Sequence, residues 1–181
     1  MVPDDDELHV LFVCTANISR SPYMELIARH RVGGGAVRFS SAGVSAWDDT
    51  LIDPAMGIEL TSRGIGSDDF RSRRLTGAVL AQADLVLTAE AAHRARILDE
   101  HPVATRKVLT FGQADQALAR VDLGISPSEV PAALVAARGG ALASLDVVDP
   151  YRRGPDAARV AALEIDGLVE RLLARLVKVA S

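Results

Sequence analysis

The sequence predicts an α/β fold of three layers, in which helices cover both faces of a four-stranded parallel sheet. The first observation behind this prediction is that four short apolar segments alternate with segments that carry helix-capping or helix-periodic residues. The second is that 181 residues, of which 49% are hydrophobic, can fill one substantial core. We therefore expect a single domain over residues 1–181, with flexible residues at 1–7.

The first strand and helix are predicted near the N-terminus. Residues 8–13 are apolar except for His9, which indicates a buried strand. Ser21 and Pro22 then predict a helix to about residue 30, with Ser21 as its N-cap and Pro22 at its first position. The glycines at 33–35 end this helix and turn the chain.

The middle of the chain repeats the alternation. Residues 37–41 predict the second strand, and Asp53 with Pro54 caps a helix that stops near Gly64. Residues 85–88 predict the third strand, which a helix over about 89–99 follows.

The last part of the chain is less regular. Residues 107–110 predict the fourth strand, and the final helix is expected over about 155–179. Its apolar residues at near-helical spacing are Val160, Leu163, Ile165, Leu168, Leu172, Leu173 and Leu176. Between these elements, residues 112–145 form an atypically long segment, for which we expect one or two short helices around Pro127 and Pro131.

Composition excludes several classes of protein. The net charge of −4 argues against a nucleic-acid binder, and the arginines at 71–74 are best interpreted as solvated surface. Residues 1–6 lack the basic start of a signal peptide, and no apolar run reaches the length of a membrane helix. The single cysteine suits a reducing cytoplasm, and the four histidines show no metal-ligand spacing. We expect neither a metal nor another cofactor.

The turn between the first strand and the first helix carries the chemistry. Cys14 and Arg20 flank it, at the carboxyl end of a strand, where α/β folds bind ligands. Backbone N–H groups and a helix N-terminus can bind an anion there, and the same field favours a thiolate nucleophile. Arg20 can hold two phosphoryl oxygens, and Ser21 can donate to the sulfur. The residues expected to form this phosphate-binding loop are Thr15, Ala16, Asn17, Ile18 and Ser19.

Cleavage of a phenolic phosphate ester also needs a proton donor, because phenol is a weak acid. Asp149 is our candidate, since Pro150 biases it toward an extended backbone that helps to aim a short carboxyl group. Taken alone, the Asp-Pro pair more often indicates a turn. Asp146 is the competing candidate, but no proline follows it.

In these motifs and their order the chain resembles the low-molecular-weight protein tyrosine phosphatase family. The resemblance rests on the Cys-x5-Arg-Ser-Pro loop after strand one, the Ser41-Ala42-Gly43 segment, Trp47, and the late Asp149-Pro150-Tyr151 element. It implies hydrolysis of protein phosphotyrosine through a cysteinyl-phosphate on Cys14, with Asp149 as general acid and base.

The same resemblance implies roles for residues around the loop. Asn17 and Ser41 would brace it, while Trp47 and Tyr151 would wall the aromatic ring of the substrate. Bacterial members of the family suggest a tyrosine kinase as protein substrate, and phosphate or another oxyanion as a loop ligand. Three positions depart from the family pattern: alanine stands at 16 and serine at 19, and phenylalanine at 70 where a histidine is common.

Two alternatives stay open. The first is an arsenate reductase on the same fold, which would depend on an external thiol because Cys14 is the only cysteine. The second is a phosphotyrosine-binding protein with weak turnover, which the substitutions at Ala16 and Phe70 suggest. Arg20 and Asp149 favour ester hydrolysis over arsenate reduction, because arsenate reduction has no phenolate to protonate.

Overall fold

The computed structural model describes residues 7–35 and 37–177. At its centre is a parallel four-stranded sheet in the order β2-β1-β3-β4. Its strands are β1 Leu8–Cys14, β2 Val37–Gly43, β3 Leu85–Thr88 and β4 Val108–Thr110. The predicted sheet is confirmed, and β1 and β2 extend beyond their predicted ends. These extensions matter because they bring Cys14 opposite Gly43 in the ladder.

Helices connect and cover the strands. In the described residues they are α1 Arg20–Val32, α2 Pro54–Thr61, α3 Gly77–Ala81, α4 Ala91–Glu100, α5 Phe111–Leu118, α6 Val130–Ala137 and α7 Pro155–Leu176. Short 3₁₀ turns occupy Pro102–Arg106, Pro127–Glu129 and Ala143–Leu145. Gly33 ends α1 in the left-handed conformation, and the Asp53 side chain caps α2 by accepting from Met56 N, as the capping signals predicted.

Successive side chains of each strand point to opposite faces of the sheet, so each face packs against its own layer of helices. In β1, Val10 and Phe12 belong to the larger core, whereas Leu11 and Val13 belong to the smaller one on the opposite face. Residues of α1, α2, α5, α6 and α7 line the larger core, and residues of α3 and α4 line the smaller one. Because both faces of the sheet are covered, its carboxyl edge is where a ligand can approach.

The predicted start of α1 was wrong. The helix begins at Arg20 with Ser19 at the N-cap position, so Ser21 lies inside its first turn and does not cap it. Pro22 is tolerated there because the first turn has no intrahelical partner for a proline N–H. The Ser21 hydroxyl is instead buried beside the sulfur of Cys14. The residue that the sequence indicated as a helix cap therefore contacts the sulfur of Cys14 instead.

Residues 111–145 hold more helix than the sequence predicted. The expected short helices around Pro127 and Pro131 are present, but α5 was missed, as was α3 earlier in the chain. Helix α5 follows β4 without a loop, because Thr110 both ends the strand and caps the helix in a capping box with Gln113.

The apolar face of α7 was predicted in part. Ile165, Leu168, Leu172 and Leu176 are buried as expected. Val160 and Leu163 are exposed, and buried alanines, Ala158, Ala161 and Ala162, form the start of the contact face instead. Small residues allow α7 to approach α1 and α2 closely, which the pattern of large apolar residues alone did not reveal.

Some predictions concern the ends of the chain. The expected flexibility of residues 1–7 falls almost wholly on residues 1–6, which lie outside the described part, and so do residues 178–179 of the predicted last helix. Within residues 7–35 and 37–177, no helix combines the length and apolarity needed to cross a membrane.

Candidate active site

Cys14 is the last residue of β1 and is buried at the carboxyl edge of the sheet. Residues 15–19 connect it directly to Arg20, the first residue of α1. The sequence therefore forms the arrangement that the spacing predicted: a strand, a short loop and a helix N-terminus. The thiol lies where the N-terminal end of α1 contributes positive potential.

The backbone of the loop is oriented for binding an anion. Its carbonyl groups are bound from outside: the N–H of Ser45 donates to the oxygen of Thr15 at 2.8 Å, and the N–H of Asp53 donates to that of Ile18 at 2.6 Å. Asn17 has a φ of 55°, in the left-handed region. A left-handed residue within such a turn lets successive N–H groups converge on the inside of the loop, which is the geometry of an anion-binding nest.

The loop lies directly against Gly43 at the end of β2. A β-carbon at this position would come within 2.7 Å of the Thr15 oxygen and 2.8 Å of the Asn17 nitrogen. Both of these are backbone atoms of the loop, so they cannot swing aside as a side chain could. This contact explains why the Ser41-Ala42-Gly43 segment ends in glycine.

We expect Gly43→Ala to displace the loop and to weaken phosphate binding about tenfold or more, because overpacking of this kind costs about 1–3 kcal/mol. Gly66→Ala is the matched control, since nothing lies within 4 Å of a β-carbon at Gly66. Titration of phosphate by calorimetry measures the effect. Equal phosphate affinity in the two variants would show that the loop does not depend on this contact.

A network of side chains supports the loop from behind. The Ser21 hydroxyl lies 3.0 Å from the sulfur of Cys14. Asn17 donates through Nδ2 to Ser21 Oγ at 3.0 Å and to Ser41 Oγ at 2.8 Å. Ser41 in turn donates to Glu25 at 2.7 Å. The left-handed conformation of Asn17 is therefore held by hydrogen bonds of its own side chain.

Two residues in this network were not anticipated from the sequence. Burial raises the pKa of Glu25, an effect that the hydrogen bond from Ser41 and the charge of Arg29 oppose. Arg73 was expected on the solvated surface, but it is half-buried: its backbone N–H donates to Asn17 Oδ1 and its Nε to the Ser41 carbonyl. Arg71 and Arg74 are exposed, as expected.

Arg20 is oriented by two groups that bind its Nη1. Its side chain is only 1% exposed. Nη1 donates to the carboxylate of Glu90 and, at 2.8 Å, to the carbonyl of Val147. Both bonds use the same nitrogen, whereas Nε has no hydrogen-bond partner among the described residues. The carboxylate of Asp149 lies 3.3 Å from this Nε, so an anion bound on that side of the planar fork would share it with Asp149.

The carboxylates of Asp149 and Asp146 occupy different environments. Asp149 Oδ1 lies 3.3 Å from Arg20 Nε, and its side chain is 41% exposed. Asp146 instead accepts the N–H of Ala91 at 2.7 Å and so caps the first turn of α4. Asp149 thus lies beside Arg20, partly open to solvent, and accepts a 3.3 Å bond from the N–H of Tyr151, whereas Asp146 is held by the shorter bond from α4.

The two aromatic candidates lie in segments that are attached to the site. Trp47 is 84% exposed, so it is not a packed core residue. The segment 45–53 that carries it is hydrogen-bonded to the loop at both ends, through Ser45 and Asp53. Tyr151 is 38% exposed, two residues after Asp149, with the Arg152 guanidinium 5.0 Å from its ring centre. Both rings are available to a ligand.

The three residues that depart from the family pattern differ in their structural surroundings. Ala16 carries no backbone strain, because Asn17 is the loop residue with positive φ. The hydroxyl of Ser19 is buried and has no hydrogen-bond partner among the described residues. Phe70 lines a groove of about 450 Å³ together with Glu25 and Arg73, on the far side of the Asn17 network.

The arrangement can bind and attack a phosphoryl group. It combines a buried thiol, a loop whose carbonyls at Thr15 and Ile18 are bound from outside, a buried guanidinium and a carboxyl group at the rim. Among residues 7–35 and 37–177, no group of three histidine, cysteine or acidic side chains could hold a metal ion.

Comparisons with known proteins agree with this site. The family model described as low molecular weight phosphotyrosine protein phosphatase matches residues 9–128. A curated relative, the low molecular weight protein-tyrosine-phosphatase Etp of Escherichia coli K12, is 28% identical over 162 residues, which cover 90% of this chain and 87% of Etp.

Solved structures extend the comparison to most of the chain. A low molecular weight protein tyrosine phosphatase from T. tengcongensis is 27% identical with a TM-score of 0.72, covering 92% of this chain and 98% of that one. The YwlE arginine phosphatase from Geobacillus stearothermophilus is 25% identical with the same TM-score of 0.72, covering 91% and 90%. The neighbours thus include enzymes whose names differ in the phosphorylated residue.

Proposed function

Because the chain belongs to the low molecular weight phosphotyrosine protein phosphatase family, we propose that it hydrolyses protein phosphotyrosine through a cysteinyl-phosphate on Cys14. The observation that carries this proposal is the position of the Cys14 thiol at the base of the loop, with Ser21 Oγ 3.0 Å from the sulfur and the buried Arg20 at the other end of the loop. The nucleophile, the anion-binding loop and the arginine that binds the phosphoryl oxygens then belong to one short segment of the chain.

In the first step the thiolate of Cys14 attacks phosphorus. The bond from phosphorus to the tyrosine oxygen breaks, and Asp149 gives this oxygen a proton. The loop amides and Arg20 stabilise the charge on the transferring phosphoryl oxygens.

In the second step water attacks phosphorus, and Asp149 takes its proton. The phosphorus–sulfur bond breaks, and the thiolate returns to its hydrogen bond with the Ser21 hydroxyl. This hydrogen bond eases departure of the sulfur, because the charge that develops on it is met by a donor already in place.

The walls of the site favour an aromatic substrate. Ile18 is a partly exposed apolar residue of the loop itself, and Trp47 and Tyr151 are solvent-exposed aromatic residues of the segments that follow β2 and Asp149. Apolar and aromatic surfaces stabilise the flat ring of phosphotyrosine, and this uncharged ring loses less hydration on contact with them than the cationic guanidinium of phosphoarginine does. Phosphoserine is too short to reach these walls while its phosphate lies in the loop.

Phosphate release from three peptides of one sequence tests the proposal. The peptides carry phosphotyrosine, phosphoarginine or phosphoserine at the same position. We expect kcat/KM to be about 100-fold higher for phosphotyrosine than for either of the others, which is what differential contact of an apolar group can supply. Addition of a chelator should change none of the rates.

Other outcomes would each contradict the proposal in a defined way. Faster release from phosphoarginine would assign the site to that substrate. Tight binding of the phosphotyrosine peptide without release would indicate a binding protein, and thiol-dependent arsenate reduction without ester cleavage would indicate a reductase. A bacterial tyrosine kinase as protein substrate and a cytoplasmic location stay predictions from the sequence.

A further inference from the structure

The first turn of α4 contacts three segments of the proposed site. Glu90, at its N-cap position, binds Arg20 through its side chain. The N–H of Ala91 binds Asp146, in the segment that carries Asp149. One turn further, Nε2 of His93 lies 2.8 Å from the hydroxyl of Thr15. Three neighbouring residues at the start of α4 are therefore bonded to Arg20, to the segment that carries Asp149 and to the loop.

The contact of His93 is made with the residue next to the nucleophile. Thr15 follows Cys14 directly, and its carbonyl is already fixed by the N–H of Ser45 at 2.8 Å. The His93 bond holds its side chain as well, across 78 positions of sequence. His93 is buried, and its Nδ1 has no hydrogen-bond partner among the described residues.

The surroundings of His93 favour the neutral ring. Burial lowers its pKa most, and the charge of Arg20 acts in the same direction, whereas Glu90, Asp146 and Asp149 oppose them. A buried N–H without a partner is costlier than a bare ring nitrogen, so the proton of the neutral ring belongs on Nε2, where it is donated to Thr15. Protonation would place a second N–H on the unpartnered Nδ1.

We propose that neutral His93 is a positioning residue, which fixes Thr15 and through it the turn of the loop that follows Cys14. The acidic form of the ring weakens this arrangement. Because the unfolded chain takes up the proton near pH 6.5 and the folded one only at lower pH, the contribution of His93 to stability falls as the pH drops below about 6.5. Only the expected changes in kcat and KM rest on the proposed function. The expected changes in phosphate affinity do not, because the contact acts on the loop that binds the anion.

Four variants test the contact. His93→Gln keeps an amide N–H near the place of Nε2, whereas the shorter His93→Asn places its amide nearer Nδ1. Thr15→Val removes the hydroxyl, and a double variant combines it with His93→Asn. Exposed His30 on α1 provides the control His30→Asn. Phosphate affinity, kcat and KM are measured, together with the rate at which iodoacetate alkylates Cys14, the only thiol.

We expect His93→Asn and Thr15→Val each to weaken phosphate affinity and kcat/KM about tenfold, the scale of losing one hydrogen bond to a buried group. The double variant should lose about tenfold as well, and not 100-fold, because both changes remove one interaction. His93→Gln should stay within about threefold of the parent. In the parent, phosphate affinity should fall between pH 7 and 5, in part because His93 takes up a proton. His93→Gln has no ring to protonate, so its phosphate affinity should fall less over this range.

Losses that multiply in the double variant would overturn the proposal, and so would parent-like phosphate affinity in Thr15→Val, which leaves the buried histidine in place. If phosphate affinity falls between pH 7 and 5 as much in His93→Gln as in the parent, protonation of His93 does not weaken the loop. Phosphate binding and alkylation need no turnover. A parent without phosphatase activity, but with coupled Thr15 and His93, would therefore contradict the proposed function and leave this inference standing.

Discussion

Replacing Cys14 by serine is expected to abolish phosphate release while phosphate and vanadate still bind. Serine keeps the size of the side chain and the hydrogen bond toward Ser21, but an alcohol is far less ionised than a thiol at neutral pH. Loss of a nucleophile costs on the order of 10⁶-fold in kcat where this has been measured in covalent catalysis. Release of phosphate from p-nitrophenyl phosphate, with calorimetry of phosphate binding, measures both halves of the expectation.

Phosphate affinity should hardly change, because the loop amides and Arg20 hold the anion without the sulfur. In the parent protein, one equivalent of iodoacetate should inactivate the enzyme, since Cys14 is the only cysteine. Turnover near the parent level in Cys14→Ser would remove Cys14 as the nucleophile. Loss of phosphate binding together with turnover would show instead that the thiol is needed to hold the shape of the loop.

The strand pattern and the loop could be predicted from the sequence because both are local. Residues 8–13 are apolar except for His9, and a parallel sheet buries such strands on both faces. The chemistry from Cys14 to Arg20 is likewise contained in one short segment. The mistake about Ser21 had a local cause too: a serine before a proline is a typical helix start, and only the depth of the loop makes it a partner for sulfur.

The groups that support the site could not be predicted in the same way. Glu90 and His93 reach Arg20 and Thr15 across 70 and 78 positions, and no periodicity in the sequence encodes such pairs. A partial signal existed for Glu90, which comes shortly after β3, at the edge where ligands bind. Helix α5 was missed because Thr110 serves both strand and helix, so no loop separates the two patterns.

Replacing Asp149 by asparagine is expected to reduce kcat on phosphotyrosine by about 10² to 10⁴, the usual contribution of a general acid. Asparagine has nearly the same shape but cannot donate the proton that a phenolate leaving group needs. Nitrophenolate is a much weaker base and leaves almost unaided. The loss on p-nitrophenyl phosphate should therefore be far smaller, and the ratio of kcat on the two substrates measures the role.

Asp146→Asn is the matched control, since an asparagine oxygen can still accept the N–H of Ala91 that Asp146 binds. This variant should retain most of its activity, with equal changes on both substrates. Equal losses in Asp149→Asn would argue against proton donation, because a purely positional role does not distinguish leaving groups. A larger and substrate-dependent loss in Asp146→Asn would transfer the role to Asp146. Because Asp149 is 41% exposed and lies 3.3 Å from Arg20 Nε, we expect it, and not Asp146, to be the carboxyl group that meets the leaving oxygen.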